Sequence, residues 1–377
     1  MKILHFSDTH LGFNDLEVLN DANINQREAD FYDAFAQVVA KIQEIRPDFV
    51  LHTGDLFHRA SPSNRAIAFA LEQFKIINDL GIPFILIAGN HSTPRTNLSA
   101  PILKIFETFE NIYVSYRQEY KKVEFEEIIF HTLPHMNDER AALSQIELCE
   151  ENINAEKKNI MMMHCSVGAH YLMAEFGEWV FPQEKEYIFK KMDYVALGHW
   201  HGFGKVGKHE NVYYSGSTER TSLNDKRNTK GFVELTLGGE TLFDAWHVEF
   251  HEIKIRPIIQ KEIDAKEYET SLSLLDTSDT KDAIVEVRLI NLTALQSIDI
   301  QNAEIKKLFP HAMNVTIKRE FIKDANATSV DDVEALSLEN YFLEHLKEES
   351  QTQEFERLKN KVQELFSAYE EASDDTL

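Results

Sequence analysis

The sequence Ile3-Leu4-His5-Phe6-Ser7-Asp8-Thr9-His10 decides how this chain is interpreted. An apolar run with the pattern of a buried strand leads directly into a segment that carries a carboxylate and an imidazole. Four later segments repeat this arrangement, with Asp, Asn or His at the end of a short apolar run. Those polar ends are Gly54-Asp55-Leu56-Phe57-His58, Gly89-Asn90-His91, His164 and Gly198-His199-Trp200-His201. Functional residues of α/β sheets gather at the carboxyl ends of strands, so we expect these side chains to meet.

The segments between the first three strands have the pattern of helices. Apolar residues recur at steps of three and four from residue 31 to residue 45, and again from residue 67 to residue 77. Strand, helix, strand, helix and strand in this order predict a parallel sheet inside an α/β domain. Further along, residues 232–237 and 243–248 predict a hairpin around the turn Gly238-Gly239.

The composition is that of a soluble globular protein. The chain has 377 residues, of which 43% are hydrophobic and 27% charged, enough for two or three domains. No apolar run has the length of a membrane span, and a strand begins within three residues of Met1. We therefore expect no signal peptide and a cytoplasmic location. Cys149 and Cys165 do not make a disulfide framework, and Cys165, although next to His164, is expected to be an inert packed thiol.

The formal net charge of −24 bears on the class of substrate. A protein that binds DNA through its surface gains most of its non-specific affinity from Lys and Arg, which are in the minority here. Bound divalent cations would reverse the sign locally, and the acid is unevenly distributed, since residues 331–377 hold 14 Asp or Glu against 4 Lys or Arg. The net charge therefore weakens the case for a nucleic-acid substrate but does not exclude such a substrate.

Pattern and composition divide the chain into four parts. The predicted parts are an α/β domain at 1–251, a small α+β domain at 252–322, a linker at 323–332 and amphipathic helices within 333–377. In the second part we expect strands at Ile253 and Ile255 and near residues 285–289 and 315–317. The last helices have an apolar seam between charged flanks, which is typical of a helix that packs on its own chain or on a partner.

The polar strand ends combine donors that suit particular metals. Carboxylate, imidazole and amide oxygen together bind divalent manganese, iron or zinc, and a carboxylate can bridge two ions. Two ions can hold the attacking and leaving oxygens of a phosphoryl displacement, while a nearby His protonates the leaving group. The arrangement therefore predicts a metal site that hydrolyses a phosphate ester. His5 and His52 lie inside strand patterns and are expected to support the site from the core.

In the order D-x-H, G-D, G-N-H, H and G-H-x-H, these motifs resemble the calcineurin-like metallophosphoesterases over the first 201 residues. More narrowly, the chain resembles the SbcD-type nuclease subunit of the DNA double-strand-break repair complex that forms with an SMC-like ATPase. Three features carry this narrower resemblance: the order of the predicted domains, the segment Leu51-His52-Thr53-Gly54-Asp55-Leu56-Phe57-His58 followed by Pro62-Ser63, and the segment Tyr214-Ser215-Gly216-Ser217-Thr218-Glu219-Arg220.

The resemblance implies a role for each matching position. One ion would be held by Asp8, His10, Asp55 and His201, and the other by Asp55, Asn90, His164 and His199, so that Asp55 bridges the pair. His58 would assist the departure of the leaving group, and His91 would sit by the scissile phosphate.

The resemblance also implies a fold, an activity and partners. The fold would be a four-layer β-sandwich flanked by helices, followed by a small α+β cap that shapes the substrate and by C-terminal helices. The activity would be manganese-dependent 3′-to-5′ exonuclease on double-stranded DNA ends and endonuclease on single strands. The chain would form a homodimer, and the C-terminal helices would bind the ATPase.

One position departs from the family pattern. The family often continues G-N-H with an acidic residue, whereas Ser92 follows His91 here. An acid at that position can orient the imidazole, so the departure bears on catalytic rate more than on metal binding. Two alternatives stay open at this point: a phosphodiesterase or phosphomonoesterase that uses the same metals on small nucleotides, and an adaptor that binds metal without turnover.

Overall fold

The structure is a computed structural model, and it describes residues 1–93, 100–173, 178–222, 225, 229–237 and 246–322. The predicted linker at 323–332, the amphipathic helices of 333–377 and the turn Gly238-Gly239 lie outside the described residues. Among the described residues, none of the helices combines the length and the apolar character that crossing a membrane requires.

The strands are numbered in chain order. They are β1 Lys2–Phe6, β2 Phe49–His52, β3 Phe84–Ile87, β4 Ile112–Ser115, β5 Lys121–Glu124, β6 Ile128–Leu133, β7 Lys158–His164, β8 Tyr194–Gly198, β9 Gly204–Lys205, β10 Val212–Tyr214, β11 Gly231–Leu237, β12 Trp246–Glu252, β13 Ile258–Asp264, β14 Ile284–Leu292 and β15 Asn314–Phe321. The α-helices are α1 Gln26–Ile45, α2 Asn64–Asp79, α3 Glu139–Glu151, α4 Tyr268–Ser273, α5 Ala294–Asp299 and α6 Asn302–Lys307.

The first two long helices begin and end where the local sequence provides caps. The side chain of Asn25 accepts hydrogen bonds from the backbone N–H groups of Arg27 and Glu28, which starts α1. Arg46 ends α1 in a left-handed conformation, directly before Pro47. Ser63 caps α2 in the same way as Asn25 caps α1, by accepting from the N–H of Ala66.

The first six-stranded sheet has the order β12-β11-β1-β2-β3-β4. β1, β2, β3 and β4 pair in parallel, as the alternation of strands and helices predicts. β11 and β12 form an antiparallel ladder, and β11 pairs antiparallel to β1. This confirms the first predicted strand of the hairpin and the part of the second from residue 246 onward, since residues 243–245 lie outside the described residues. The carboxyl ends of β1, β2 and β3 therefore lie at one edge of this sheet.

The second six-stranded sheet has the order β5-β6-β7-β8-β10-β9. Its central strands β6, β7, β8 and β10 are parallel, and β5 and β9 are antiparallel edge strands. The register places His164, the last residue of β7, beside Gly198, the last residue of β8. The hydrogen-bonded pairing of β7 with β8 therefore places two of the predicted polar strand ends next to each other.

Three hydrophobic cores explain the layering. The inner core joins the facing sides of the two sheets through residues such as Leu51 and Ile85 from one sheet and Ile160 and Met162 from the other. A second core packs α1 and α2 on the outer side of the first sheet, and a third packs α3 on the outer side of the second sheet. The result is helix, sheet, sheet and helix, which confirms the four-layer α/β fold.

Contacts within the chain divide it into two compact units. One unit contains both large sheets and comprises Met1–Lys261, Asp276–Val287 and Ala303–Thr316. The other unit comprises Glu262–Leu275, Arg288–Asn302 and the described residues from Ile317 onward. A third sheet has three strands in the order β13-β14-β15. The domain boundaries expected from the sequence stay a prediction.

One local expectation was wrong. A strand was expected at Ile253 and Ile255, but β12 ends at Glu252, and the next strand, β13, runs over Ile258–Asp264. The ladder of β12 ends because its partner β11 begins at Gly231, which pairs with Glu252. The expected strands near residues 285–289 and 315–317 are confirmed by β14 and β15.

Candidate metal centre

Five strand ends converge on one place. Asp8 and His10 follow β1, Asp55 and His58 follow β2, Asn90 and His91 follow β3, His164 ends β7, and His199 and His201 follow β8. Donor atoms of these residues gather in three groups, within each of which they all lie within 4.8 Å of one another. The groups are Asp8, His10 and His201; Asp8, Asp55 and His164; and His10, His58 and His91. The structure thus brings together side chains from both large sheets.

The first group is centred on two imidazoles. The Nε2 atoms of His10 and His201 lie 3.2 Å apart, and both rings are buried. Two imidazole nitrogens this close need a proton or a cation between them. Burial lowers the pKa of His10 well below its usual value, despite the opposing effect of Asp55, so its ring is neutral and can offer a lone pair. This chemistry suits a divalent cation between the two rings.

Acceptors surround one nitrogen of His164. Its Nε2 lies 2.9 Å from Asn90 Oδ1 and 3.2 Å from Asp55 Oδ2, while its Nδ1–H donates to the carbonyl of Thr53 at 2.7 Å. Burial disfavours a charged ring, but the Asp55 carboxylate outweighs it and raises the pKa of His164 from 6.5 to about 9. A proton therefore occupies the position where carboxylate, amide and imidazole donors would meet a metal ion.

The opposite shift occurs at Asp55. Burial alone would raise the pKa of this carboxyl, yet His164, followed by His91 and His10, holds it well below its usual value. Its second oxygen, Oδ1, accepts from the backbone N–H of His91 at 2.9 Å. The carboxylate is thus ionised and fixed in orientation, and it belongs to one of the three donor groups, whereas Asp8 and His10 each belong to two.

His199, unlike the other candidate His and Asp ligands, belongs to none of the three groups. Its backbone N–H donates to both carboxylate oxygens of Asp8, at 3.2 and 3.1 Å, and its ring centroid is 5.3 Å from that of His164. Its Nε2 lies 3.0 Å from the carboxylate of Glu178. The sequence pattern predicts His199 at this edge of the sheet, whereas no motif in the sequence predicts that Glu178 contacts it.

His58 and His91 form a pair beside His10. Their rings are stacked with centroids 5.2 Å apart, and the Nδ1–H of His91 donates to the backbone carbonyl of His58 at 2.8 Å. The carbonyl of His58 thus orients the imidazole of His91, a role that the sequence pattern suggested for an acidic residue at position 92. Ser92 itself is buried, and its hydroxyl has no hydrogen-bond partner among the described residues.

Further side chains contact the candidate ligands and hold them in position, and the sequence patterns did not predict these contacts. Thr221 Oγ1 lies 3.0 Å from Nδ1 of His201, so His201 presents its Nε2 to His10. The buried ammonium of Lys230 donates to the backbone carbonyl of His201 at 2.7 Å. The hydroxyl of Ser7 donates to the Asp8 carboxylate. Such outer contacts fix ring orientation and so raise metal affinity.

The backbone at the site is unusual. Asp8, His10, Asp55 and His199 have positive φ angles of 51°, 43°, 53° and 97°. For residues other than glycine this conformation costs on the order of 1–3 kcal/mol and occurs mainly at functional sites. The neighbouring Gly89 is also constrained, because a Cβ at that position would lie 2.3 Å from Asp55 Oδ1.

A layer of neutral histidines lies under the centre. Burial lowers the pKa of His5 and of His52 to about 3, and that of His135 to about 4. His5 and His52 lie within β1 and β2 and are fully buried, as the strand patterns predict. Cys165 is buried next to His164, and burial raises the pKa of its thiol, which fits an inert packed group.

Comparisons with known proteins identify the family of this chain. The sequence profile described as calcineurin-like phosphoesterase matches residues 1–203. The chain is similar to the DNA double-strand break repair protein Mre11 of Methanococcus maripaludis, at 26% identity over 365 residues that cover 92% of this chain and 91% of the relative. It is 30% identical over 287 residues to the protein of the same name from Thermoplasma acidophilum, covering 72% of this chain and 70% of the relative.

Among solved structures, a dimetal phosphatase from Danio rerio is similar at 10% identity and a TM-score of 0.40, over 62% of this chain and 91% of that one. The sequence match over residues 1–203 includes all nine residues of the candidate centre. This protein therefore belongs to the calcineurin-like phosphoesterase family, as a metal-dependent phosphodiester hydrolase.

Proposed function

We propose that this protein is a manganese-dependent DNA nuclease of double-strand-break repair, with 3′-to-5′ exonuclease activity on duplex ends and endonuclease activity on single strands. The observation that carries the proposal is the convergence of Asp8, His10, Asp55 and His164 into overlapping groups of metal donors. The Mre11 relatives are DNA double-strand break repair proteins that match up to 92% of this chain, which supports DNA as the substrate.

The proposed ligand sets are those that the family resemblance implies, and the donor groups support them in part. Asp8, His10, Asp55 and His201 hold one ion, and Asp55, Asn90, His164 and His199 hold the other, with Asp55 between them. Two short contacts support the division: His10 to His201, with 3.2 Å between their Nε2 atoms, and His164 to Asn90, with 2.9 Å between Nε2 and Oδ1. Carboxylate, amide and imidazole together suit manganese.

Two ions held by these residues would supply positive charge at the phosphate and a water of lowered pKa. The side chains of the chain itself provide the rest. Asp55 accepts the backbone N–H of His91, which holds the loop after β3 against the centre. His58 lies beside His10, with 3.4 Å between their Nδ1 atoms, and gives a proton to the leaving oxygen. His91, oriented by the carbonyl of His58, hydrogen-bonds the scissile phosphate.

The remaining parts of the proposal concern assembly. Residues 252–322 act as the cap that shapes the DNA, and the helices predicted within 333–377 bind an SMC-like ATPase across their apolar seam. The protein acts as a homodimer in the cytoplasm. Support comes from the sequence pattern of the tail and from relatives that match most of the chain.

Cleavage of defined substrates tests the proposal. The protein is stripped with EDTA, reloaded with Mn²⁺, and incubated with 5′-labelled linear duplex, with single-stranded circles, and with the chromogenic esters p-nitrophenyl phosphate and p-nitrophenyl thymidine 5′-phosphate. We expect DNA cleavage that needs Mn²⁺ and disappears in Asp55→Asn. Turnover of the chromogenic esters beside intact DNA would instead indicate a small-substrate phosphodiesterase or phosphomonoesterase. Metal binding with no turnover of any substrate would indicate an adaptor.

A further inference from the structure

We propose that Glu178 is a positioning residue that fixes the tautomer of His199, so that His199 binds its metal ion through Nδ1. This inference rests on the proposed metal site and goes beyond it by naming the carboxylate that prepares one ligand and the atom that ligand uses. The Nε2 of His199 lies 3.0 Å from Oε1 of Glu178. The side chains of His199 and Glu178 are 3% and 9% exposed, so little water competes for the contact.

The backbone holds Glu178 in place. Its segment is joined to the residues just after β7 by two hydrogen bonds, from the N–H of Ser166 to the carbonyl of Trp179 at 2.9 Å and from the N–H of Phe181 to the carbonyl of Ser166 at 2.8 Å. Ser166 and Val180 form a parallel bridge at this point. Because β7 also ends in the candidate ligand His164, the position of Glu178 is tied to the metal centre.

The hydrogen bonds of Glu178 determine which partner donates. Its carboxylate accepts from the backbone N–H of Met173 at 2.8 Å and from the hydroxyl of Ser166. Several donors directed at one carboxylate stabilise its ionised form. An ionised carboxylate has no proton to give, so Nε2 of His199 carries the hydrogen of this contact. In the neutral ring the lone pair is then on Nδ1.

The backbone of His199 is fixed as well, because its N–H donates to both oxygens of the Asp8 carboxylate. His199 therefore has its main chain held by one carboxylate and its ring by another. Two other candidate imidazoles are held in the opposite sense: His164 donates from Nδ1 to the Thr53 carbonyl, and Nδ1 of His201 meets the Thr221 hydroxyl. Those two rings present Nε2, whereas His199 presents Nδ1.

A carboxylate behind a metal-bound imidazole does two things. It selects the tautomer, and its charge raises the basicity of the nitrogen that binds the metal. Removal of such a partner lowers metal affinity by about 10- to 100-fold. Because Glu178 contacts only one of the proposed ligands among the described contacts, the loss should affect one of the two ions.

The test uses Glu178→Ala and Glu178→Gln in the full chain, with Glu186→Ala as the matched control. Glu186 forms the same kind of pair, 3.1 Å from Nε2 of His209, and none of its described contacts involves a proposed ligand. Long-range ¹⁵N NMR of metal-free protein reports the histidine tautomers, and His199→Gln assigns the signal of His199. Wild type should show Nε2–H at His199, Glu178→Gln should retain it, and Glu178→Ala should show exchange between the two tautomers.

Metal binding gives the second measurement. Calorimetric titration with Mn²⁺ should show one of two sites weakened about 10- to 100-fold in Glu178→Ala and less in Glu178→Gln, with both sites unchanged in Glu186→Ala. With ¹¹³Cd²⁺ as a diamagnetic probe, scalar coupling should join the metal to Nδ1 of His199. Coupling to Nε2, or equal affinities in wild type and a folded Glu178→Ala, would overturn the inference. If Glu178→Ala does not fold, the isosteric Glu178→Gln and the ¹¹³Cd²⁺ coupling in wild type decide.

The two proposals fail in different ways. If wild-type protein binds neither Mn²⁺ nor Cd²⁺, the proposed two-ion nuclease is wrong and the inference about Glu178 falls with it. If wild type binds two ions and cleaves DNA while His199 binds through Nε2, only the role of Glu178 is refuted.

Discussion

The Nε2 of His164 lies 3.2 Å from Oδ2 of Asp55 in a fully buried pair, and the pKa of His164 is raised to about 9. Metal-free protein therefore keeps a proton on this ring at pH 7, where a free imidazole would have lost most of it. A metal ligand must be neutral, so Mn²⁺ binding has to displace this proton. We expect the release of about one proton per chain from His164 at pH 7, and a Mn²⁺ affinity that rises about tenfold per pH unit up to pH 9.

Calorimetry in two buffers of different ionisation enthalpy measures the proton release. The raised pKa of His164 also affects the stability of the metal-free protein. Its pKa is about 9 in the folded state and 6.5 in the unfolded state, so the protonated ring stabilises the fold fully below pH 6.5. This contribution is lost as the pH rises to 9. Metal binding at pH 7 with no proton released would contradict the protonated state of His164.

Acid should destabilise the metal-free protein through the neutral histidines under the centre. His5 and His52 have folded pKa values of about 3, below the ordinary 6.5, so their contribution is present above pH 6.5 and is lost as the pH falls toward 3. Each ring adds a slope of up to about 1.4 kcal/mol per pH unit to the free energy of unfolding. Urea unfolding between pH 7 and pH 5 should show a shallower slope in His52→Leu. An unchanged slope there, or an equal change in the exposed control His170→Leu, would contradict this account.

His58 and His91 separate catalysis from metal binding. Neither is a proposed ligand, and both act on the substrate, so His58→Gln or His91→Gln should lower kcat by about 100- to 10,000-fold while Mn²⁺ affinity stays within about twofold. His209→Gln, at a histidine paired with Glu186, is the matched control and should keep full activity. Loss of Mn²⁺ binding in either variant would make that histidine a ligand, and unchanged kcat would remove it from the mechanism.

Gly89 tests how closely the backbone encloses the bridging carboxylate. A Cβ at residue 89 would lie 2.3 Å from Asp55 Oδ1 and 2.6 Å from Asp55 N, so Gly89→Ala must displace Asp55. We expect a loss of about 1–3 kcal/mol in the free energy of unfolding and weaker Mn²⁺ binding. Gly204→Ala is the control, since a Cβ there meets nothing within 4 Å. Equal Mn²⁺ affinity in Gly89→Ala and wild type would show that Asp55 can move without consequence for the site.

The sequence predicted which side chains lie at this sheet edge, because each candidate donor stands at or shortly after the end of a short apolar run; their roles as ligands stay a prediction. Such a run fixes a buried strand, and parallel strands bring their carboxyl ends to one edge, so Asp8 and Asp55 were placed without knowledge of any contact. The same reasoning failed at Ile253, where the end of the partner strand, rather than the local pattern, decided where β12 stops.

Sequence patterns could not predict the side chains that hold the candidate ligands in position. Glu178 reaches His199 from a segment with no strand or motif of its own, and Lys230 acts through a backbone carbonyl. Contacts of this kind depend on how loops return to the sheet edge, and no spacing of residue types encodes that. The left-handed backbone of Asp8 and Asp55 is likewise a product of tertiary packing, since neither residue type requires it.

The acidic C-terminal part of the chain should bind the partner without contributing to the metal centre. Deletion from Leu338 onward should leave Mn²⁺-dependent cleavage measurable, because every proposed ligand precedes residue 202, and should abolish co-purification with an SMC-like ATPase. The apolar seam gives a finer test: Leu358→Asp with Leu365→Asp places two charges at helical spacing on one predicted face and should act like the deletion. Glu356→Gln with Glu370→Gln alters the charged flanks and should retain the partner. ATPase binding that survives the seam variant would refute docking through this face, and loss of cleavage on deletion would show that the tail contributes to the nuclease itself.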